Sequence, residues 1–122
     1  MQAEVSLILI SSSVTKEELT AVAGAQPTNV EINKEEKLVW TRDSGDINID
    51  ELEQVIGQFI EQIKQPLVNI EAPQIWVRLH SESNFAGLAL SNDCLQKLAF
   101  SGAHLFVSAY AEGKDWGSAL NQ

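Results

Sequence analysis

Residues 50–65, DELEQVIGQFIEQIKQ, predict the long amphipathic helix on which the fold depends. Six apolar side chains recur at the spacing of one helical face: Leu52, Val55, Ile56, Phe59, Ile60 and Ile63. Burying one such side chain is worth about 2 kcal/mol, and whole domains are stable by only about 5–15 kcal/mol. We therefore expect this face to cover a sheet. The N-cap is either Asn48 or Asp50, with Asp50 slightly preferred, and Pro66 should end the helix at Gln65.

Five other segments have the composition of β-strands. The most apolar is Val5–Ile10 (VSLILI), which predicts a strand buried on both faces and central in its sheet. Residues 29–33 alternate, and residues 37–41 return after a polar turn, so these two segments predict a hairpin. Residues 74–81 (QIWVRLHS) alternate as a half-buried strand, and residues 103–110 are apolar enough to predict a second central strand.

Two shorter helices have clear boundary signals. Thr15 as N-cap and Glu18 three residues later form a capping box, and Gly24 is suited to the left-handed C-cap. The third helix should begin after Ser91 and end at Gly102.

This succession of elements predicts an α+β fold. Strands with one polar face imply a mainly antiparallel sheet, with a mixed sheet left open, of about five strands. Three helices should pack largely on one side, in a generally ferredoxin-like architecture. Residues 42–46 are expected to form a loop before the long helix. We expect a single domain over residues 1–111 and a C-terminal tail over residues 112–122.

The charge balance narrows the classes of partner. The chain has 122 residues, with 8 basic and 17 acidic ones, for a net charge of −9. Nucleic acid is an unfavourable partner because binding phosphates requires a basic surface. An acidic surface steers basic proteins instead, although charge also simply keeps small proteins in solution. With a single cysteine, an N-terminus that lacks a basic signal region and no long apolar run, we expect a cytoplasmic protein without membrane contact.

One group of residues resembles a binding surface. Trp76, Arg78 and His80 alternate on the outward face of one strand, and Trp40 is expected on a neighbouring strand. Such a surface suits a carboxylate, a planar group or a protein partner. The alternative is that these residues only cover the sheet.

No pattern in the sequence names a catalytic residue, a cofactor or a metal. His80 and His104 are the only histidines, and neither has a metal-ligand motif beside it. Cys94 falls near the start of the third helix, where we expect a packed, inert thiol. These features favour a protein that is not an enzyme.

Four stretches together resemble the bacterial family called domain of unknown function 4279. They are EELTAVAGAQPT (17–28), the tryptophan of LVWT (38–41), the helix DELEQVIGQFIEQIKQP (50–66) and GLALSNDCLQKLAFSGAHLFVSAY (87–110). The resemblance spans residues 3–110. It implies a small cytoplasmic α+β protein and brings no catalytic residues with it.

These observations favour a non-enzymatic protein-binding domain, in its sharpest form an immunity protein that binds a basic toxin. The alternative is a small-molecule-binding domain or an enzyme with a pocket near Arg78 and His80. The chain is expected to be a monomer or a homodimer.

Overall fold

Strand β1 (Gln2–Ser11) lies at the centre of a five-stranded sheet. The structure is a computed structural model and describes residues 1–63, 69–81 and 87–111. The other elements are α1 (Lys16–Ala23), β2 (Asn29–Ile32), β3 (Leu38–Asn48), α2 (Leu52–Gln62), β4 (Gln74–Ser81), α3 (Asn92–Ser101) and β5 (His104–Ala111). A short 3-10 turn, Ile49–Glu51, precedes α2.

The strand order is β2-β3-β1-β4-β5. Neighbouring strands are antiparallel except for β4 and β5, which are parallel. This confirms the α+β prediction with a mixed sheet. The order β4-β1-β3-β2 of the first four strands, with two helices between them in sequence, fits the ferredoxin-like architecture broadly. Helix α3 and strand β5 are added to that arrangement at its β4 side.

The core lies on one face of the sheet, between the strands and the three helices. Alternate residues of β1 contribute Ala3, Val5, Leu7 and Leu9, all fully buried. The helices contribute buried residues to the same cluster: Leu19 and Ala23 from α1, Leu52, Ile56 and Phe59 from α2, and Cys94 and Leu98 from α3. The predicted apolar face of the long helix is confirmed, with Val55 and Ile60 only partly buried at its margins.

The prediction of a loop over residues 42–46 is wrong, because β3 continues through this segment. Its pairing with β1 runs from Ser11 opposite Leu38 to Gln2 opposite Asn48. The register shifts between Glu4 and Ser6, where β3 contains an extra residue. Gly45 there has a φ of +73°, a left-handed conformation that glycine adopts without a Cβ clash. The bulge interrupts the alternation, so the sequence resembles a loop.

The prediction that the last strand is central is also wrong, because β5 lies at the edge of the sheet in the described structure. Its apolar residues are not all buried. Phe106 is 37% exposed on one face and Val107 is 47% exposed on the other. The apolar composition of this strand therefore reflects exposed surface as well as core.

The helix boundaries follow the capping signals. Asn48, the second choice in sequence, is the N-cap of the turn before α2, and its side chain accepts a hydrogen bond from the Asp50 N–H. Helix α2 ends at Gln62, earlier than the predicted Gln65, which lies outside the described residues. Thr15 caps α1 as predicted. Within the described ranges no helix is long and apolar enough to cross a membrane.

Candidate functional site

The outer sheet face, as we call the side of the sheet opposite the helices, carries the predicted binding residues of β4. Trp76, Arg78 and His80 are partly buried and alternate with the buried residues of the same strand. The register places Glu4 and Ser6 of β1 beside Arg78 and Trp76 on that face. The prediction that the three β4 side chains share one face is confirmed.

A polar cluster occupies the middle of the outer sheet face. The guanidinium of Arg78 contacts the Glu4 carboxylate, and its Nη2 donates a hydrogen bond of 2.8 Å to Ser6 Oγ. The Ser6 hydroxyl in turn donates to the Asp43 carboxylate, which lies 3.7 Å from Arg78 Nη2. Ser6 is almost fully buried, and its hydroxyl contacts both the Arg78 guanidinium and the Asp43 carboxylate. The cluster joins β1, β3 and β4 across the sheet.

The polar cluster changes the expected role of Arg78. Because Glu4 and Asp43 already pair with its charge, the guanidinium is not free to bind the carboxylate of a ligand. The two carboxylates outnumber the one cation. Asp46, opposite Glu4 on β3, adds a further negative charge on the same face. The outer sheet face is therefore acidic, and we expect it to attract a cation.

Two aromatic stacks flank the polar cluster, each formed by one residue of β4 and its partner on β5. The Trp76 and Phe106 rings are 4.4 Å apart at 12°. The His80 and Tyr110 rings are 5.4 Å apart at 16°. Parallel pairing of β4 with β5 sets these partners opposite each other. Since Tyr110 is 55% exposed, the stacks present aromatic surface to solvent.

Trp40 does not belong to the outer sheet face. It pairs with Leu9 of β1, whose side chain faces the helices, and both residues are fully buried. The Trp40 indole N–H donates a hydrogen bond of 3.2 Å to Thr20 Oγ1 of α1. The signal in the sequence was the alternation of Leu38 and Trp40, which share a face of β3, and both residues pack against the core.

A groove of about 950 Å³ lies on the other side of the molecule, between α2, residues 70–73 and the end of α3. Apolar side chains contribute to it, including Ile60, Ile63 and Ile70, and Gly57 leaves space along α2. Phe100 lies beside it and is 92% exposed. Neither Arg78 nor His80 lines this groove, so it does not correspond to the pocket of the small-molecule hypothesis.

Glu53 of α2 lines that groove and also binds the start of α3. Its carboxylate accepts hydrogen bonds from the Ser91 hydroxyl at 2.6 Å and the Ser91 N–H at 3.0 Å. The Ser91 hydroxyl, the N-cap of α3, also accepts from the Cys94 N–H. These bonds from Ser91 lower the pKa of Glu53 below its ordinary value.

We expect Glu53→Gln to lower the thermal midpoint of unfolding at neutral pH, and the difference from the unchanged chain to shrink in acid. A carboxyl whose pKa is lowered by folding stabilises the protein fully above its unfolded pKa of about 4.3. That contribution is lost as the pH falls through the lowered value. Thermal unfolding followed by circular dichroism between neutral and strongly acidic pH measures it. Glu36→Gln, in the exposed turn between β2 and β3, is the matched control. A difference that stays constant across the pH range would contradict the assignment.

Cys94 is buried in the core, as expected of a packed thiol. Burial is the main cause that raises the pKa of this thiol, and the nearby Glu53 carboxylate raises it further. Among the described residues, no group of three or more histidine, cysteine and acidic side chains is arranged to hold a metal ion. The prediction of no metal or cofactor stays a prediction.

Phe106, Tyr110, Glu4 and Asp43 were not identified from the sequence as members of the surface. The signal for the first two was their even spacing, because residues four apart in a strand, such as Phe106 and Tyr110, lie on the same face. What the sequence did not reveal is that β5 pairs directly with β4. The two acids required the register of β1 with its neighbours.

Comparisons with protein-family models, with curated proteins and with solved structures found no match to this chain.

Proposed function

We propose that the protein is a non-enzymatic protein-binding domain that recognises a basic partner through its outer sheet face. The observation that carries this proposal is the juxtaposition of exposed aromatic stacks with an acidic cluster. Tyrosine, tryptophan and arginine are the residue types that contribute most often to the centres of protein interfaces. The face combines these types within adjacent strands.

The chemistry of the face favours lysine and arginine on the partner. A cation is attracted both to the faces of aromatic rings and to carboxylates. The aromatic surface of Phe106 and Tyr110 lies on the same face as the excess negative charge of Glu4, Asp43 and Asp46. The net charge of −9 adds a long-range field that speeds the approach of a basic protein.

In its sharpest form the partner is a basic toxin and this chain is its immunity protein. This form rests on analogy with small acidic bacterial domains and on the resemblance to the domain of unknown function 4279 family. Membership of that family and a cytoplasmic location are therefore proposed together with this function. The alternative, a small-molecule site near Arg78 and His80, has less support because Arg78 is already paired with Glu4.

Comparative capture of a partner tests the proposal. Purified wild-type protein, a Phe106→Ala/Tyr110→Ala variant and a Phe100→Ala variant are used as bait against the same host extract. The single stoichiometric partner that is retained is then purified and titrated by calorimetry. Phe100 is the matched control because it is an exposed phenylalanine on α3, away from the outer sheet face.

We expect the double variant to bind the purified partner at least about tenfold more weakly, since aromatic residues at an interface contribute about 1–2 kcal/mol or more each. The control should bind as the unchanged chain does. Raising the salt concentration should weaken binding for both, because charge attraction is screened. Equal affinities for the double variant and the wild type, or a partner that is not basic, would contradict the proposal.

A further inference from the structure

The two edges of the sheet differ in length and charge. Strand β2 at one edge has four residues, one of them Glu31, and is followed by the charged turn Lys34-Glu35-Glu36. Strand β5 at the other edge has eight residues and contains no charged side chain and no proline. Short length and charge are what protect an edge strand from pairing with another chain. Only β2 has that protection.

The outer edge of β5 also carries backbone N–H and C=O groups that can form hydrogen bonds with another strand. The His104 N–H donates a hydrogen bond of 2.8 Å to the Pro73 carbonyl, on the β4 side. Because backbone groups alternate along a strand, the N–H and C=O groups of Leu105, Val107 and Ala109 point to the opposite, outer edge. Within the described ranges no strand pairs with that edge.

Apolar side chains are exposed on both faces of this edge. Phe106 and Tyr110 lie on the outer sheet face, and Val107 is 47% exposed on the helix side. Strand addition is the arrangement that buries exposed side chains on both faces together with the backbone edge. The side-chain pattern and the backbone pattern therefore indicate the same kind of contact.

We propose that β5 pairs with β5 of a second copy of this chain, antiparallel about a twofold axis at Val107, to form one continuous ten-stranded sheet. An acidic chain repels its own copies, and the edge that would bring two copies together is the one without charge. A register centred on Val107 sets Val107 opposite its symmetry mate and Leu105 opposite Ala109 of the second copy. These are the residues whose backbone groups point outward, so the copies can exchange hydrogen bonds.

This register also places apolar residues of the two copies opposite each other. Residues that lie opposite each other in an antiparallel pair share a face, so Leu105, Val107 and Ala109 of both copies meet on the helix side. His104 of one copy lies opposite Tyr110 of the other on the outer sheet face. The dimer would join the two outer sheet faces into one surface. The inference does not depend on the proposed function, because the contact is made by the strand edge.

The test is the mass of the full chain in solution, measured by light scattering after size exclusion and by sedimentation equilibrium over a hundredfold range of concentration. The expected mass is twice the 13.4 kDa of one chain. Val107→Lys places a charge at the twofold axis and should give the single-chain mass throughout the range. Ile32→Lys, at an exposed position on the opposite edge strand, should leave the dimer intact. Far-ultraviolet circular dichroism and thermal unfolding confirm that both variants are folded.

Any one of these outcomes would overturn the inference: a wild-type chain that is a monomer at every concentration, a dimer that survives Val107→Lys, a dimer lost equally in Ile32→Lys, or assemblies that grow without limit. A full chain that is a monomer and dimerises only when residues 112–122 are removed would also overturn it, since it would assign the edge to that segment. Each result is read from mass and is independent of whether a basic partner is captured.

Discussion

Replacing Trp40 by alanine is expected to lower the free energy of unfolding by about 3–5 kcal/mol, the range measured for removing large aromatic side chains from cores. Trp40 is fully buried between β1, β3 and α1. The substitution leaves a cavity and also leaves Thr20 Oγ1 without the indole donor. The free energy of unfolding of Trp40→Phe should lie between those of the unchanged chain and Trp40→Ala, because phenylalanine keeps most of the apolar volume but loses the hydrogen bond. Urea unfolding followed by circular dichroism gives the values.

Trp76→Ala is the matched control for this prediction. Trp76 is only partly buried, and Trp76→Ala mainly removes the ring stack with Phe106. Such a stack is worth about 1 kcal/mol beyond the area it covers. We therefore expect a clearly smaller loss than for Trp40. If both tryptophans cost the same free energy of unfolding, the assignment of Trp40 to the core and Trp76 to the outer sheet face would be wrong.

Ile56→Ala is expected to have the next largest effect, a loss of about 2–5 kcal/mol in the free energy of unfolding. Ile56 is fully buried in the middle of α2, where the helix packs on β1. Its removal leaves a cavity between two elements that both hold the core. The loss should appear as a lower urea midpoint with an unchanged dependence on urea.

Ile60→Ala, one turn later on α2, provides the comparison. Ile60 is partly buried beside the α2 and α3 groove, so the side chain loses less contact when it is removed. We expect less than half of the Ile56 effect. A larger loss at Ile60 than at Ile56 would show that α2 is rotated about its axis relative to the sheet.

The sequence was sufficient to predict the elements whose hydrophobic period is unbroken. Helix α2 and strand β4 follow their periods of 3.6 and 2 residues, and both were located with the correct buried face. The capping signals of Thr15 and Gly102 also located helix ends, because they depend on local hydrogen bonds and backbone conformation.

The errors have two physical causes. In β3 the bulge near Ser44 and Gly45 adds one residue, so Asp43 and Asp46 face the same side although their spacing is odd. No local pattern shows that the extra residue is absorbed within a strand. For β5, apolar composition predicts a central position, but composition does not distinguish burial by a neighbouring strand from apolar surface that stays exposed.

In the candidate site, too, local patterns were predictable from the sequence and long-range contacts were not. The alternation of β4 was sufficient to group Trp76, Arg78 and His80. Whether Arg78 is free depends on Glu4, which is 74 residues away in sequence and reaches it only through the register of β1 with β4. Long-range pairing therefore decided the chemistry of the face, and a single sequence does not contain that register.

Because Cys94 is buried, the reactivity of its thiol reports local opening of the structure around the third helix. A maleimide reagent can reach the buried sulfur only when the structure around α3 opens, so the rate of labelling in native buffer reports how often this local opening occurs. The effect of a substitution on this local opening is then measurable without unfolding the whole chain. The chain thus carries its own chemical probe of local opening, at a position 5% exposed in the closed state.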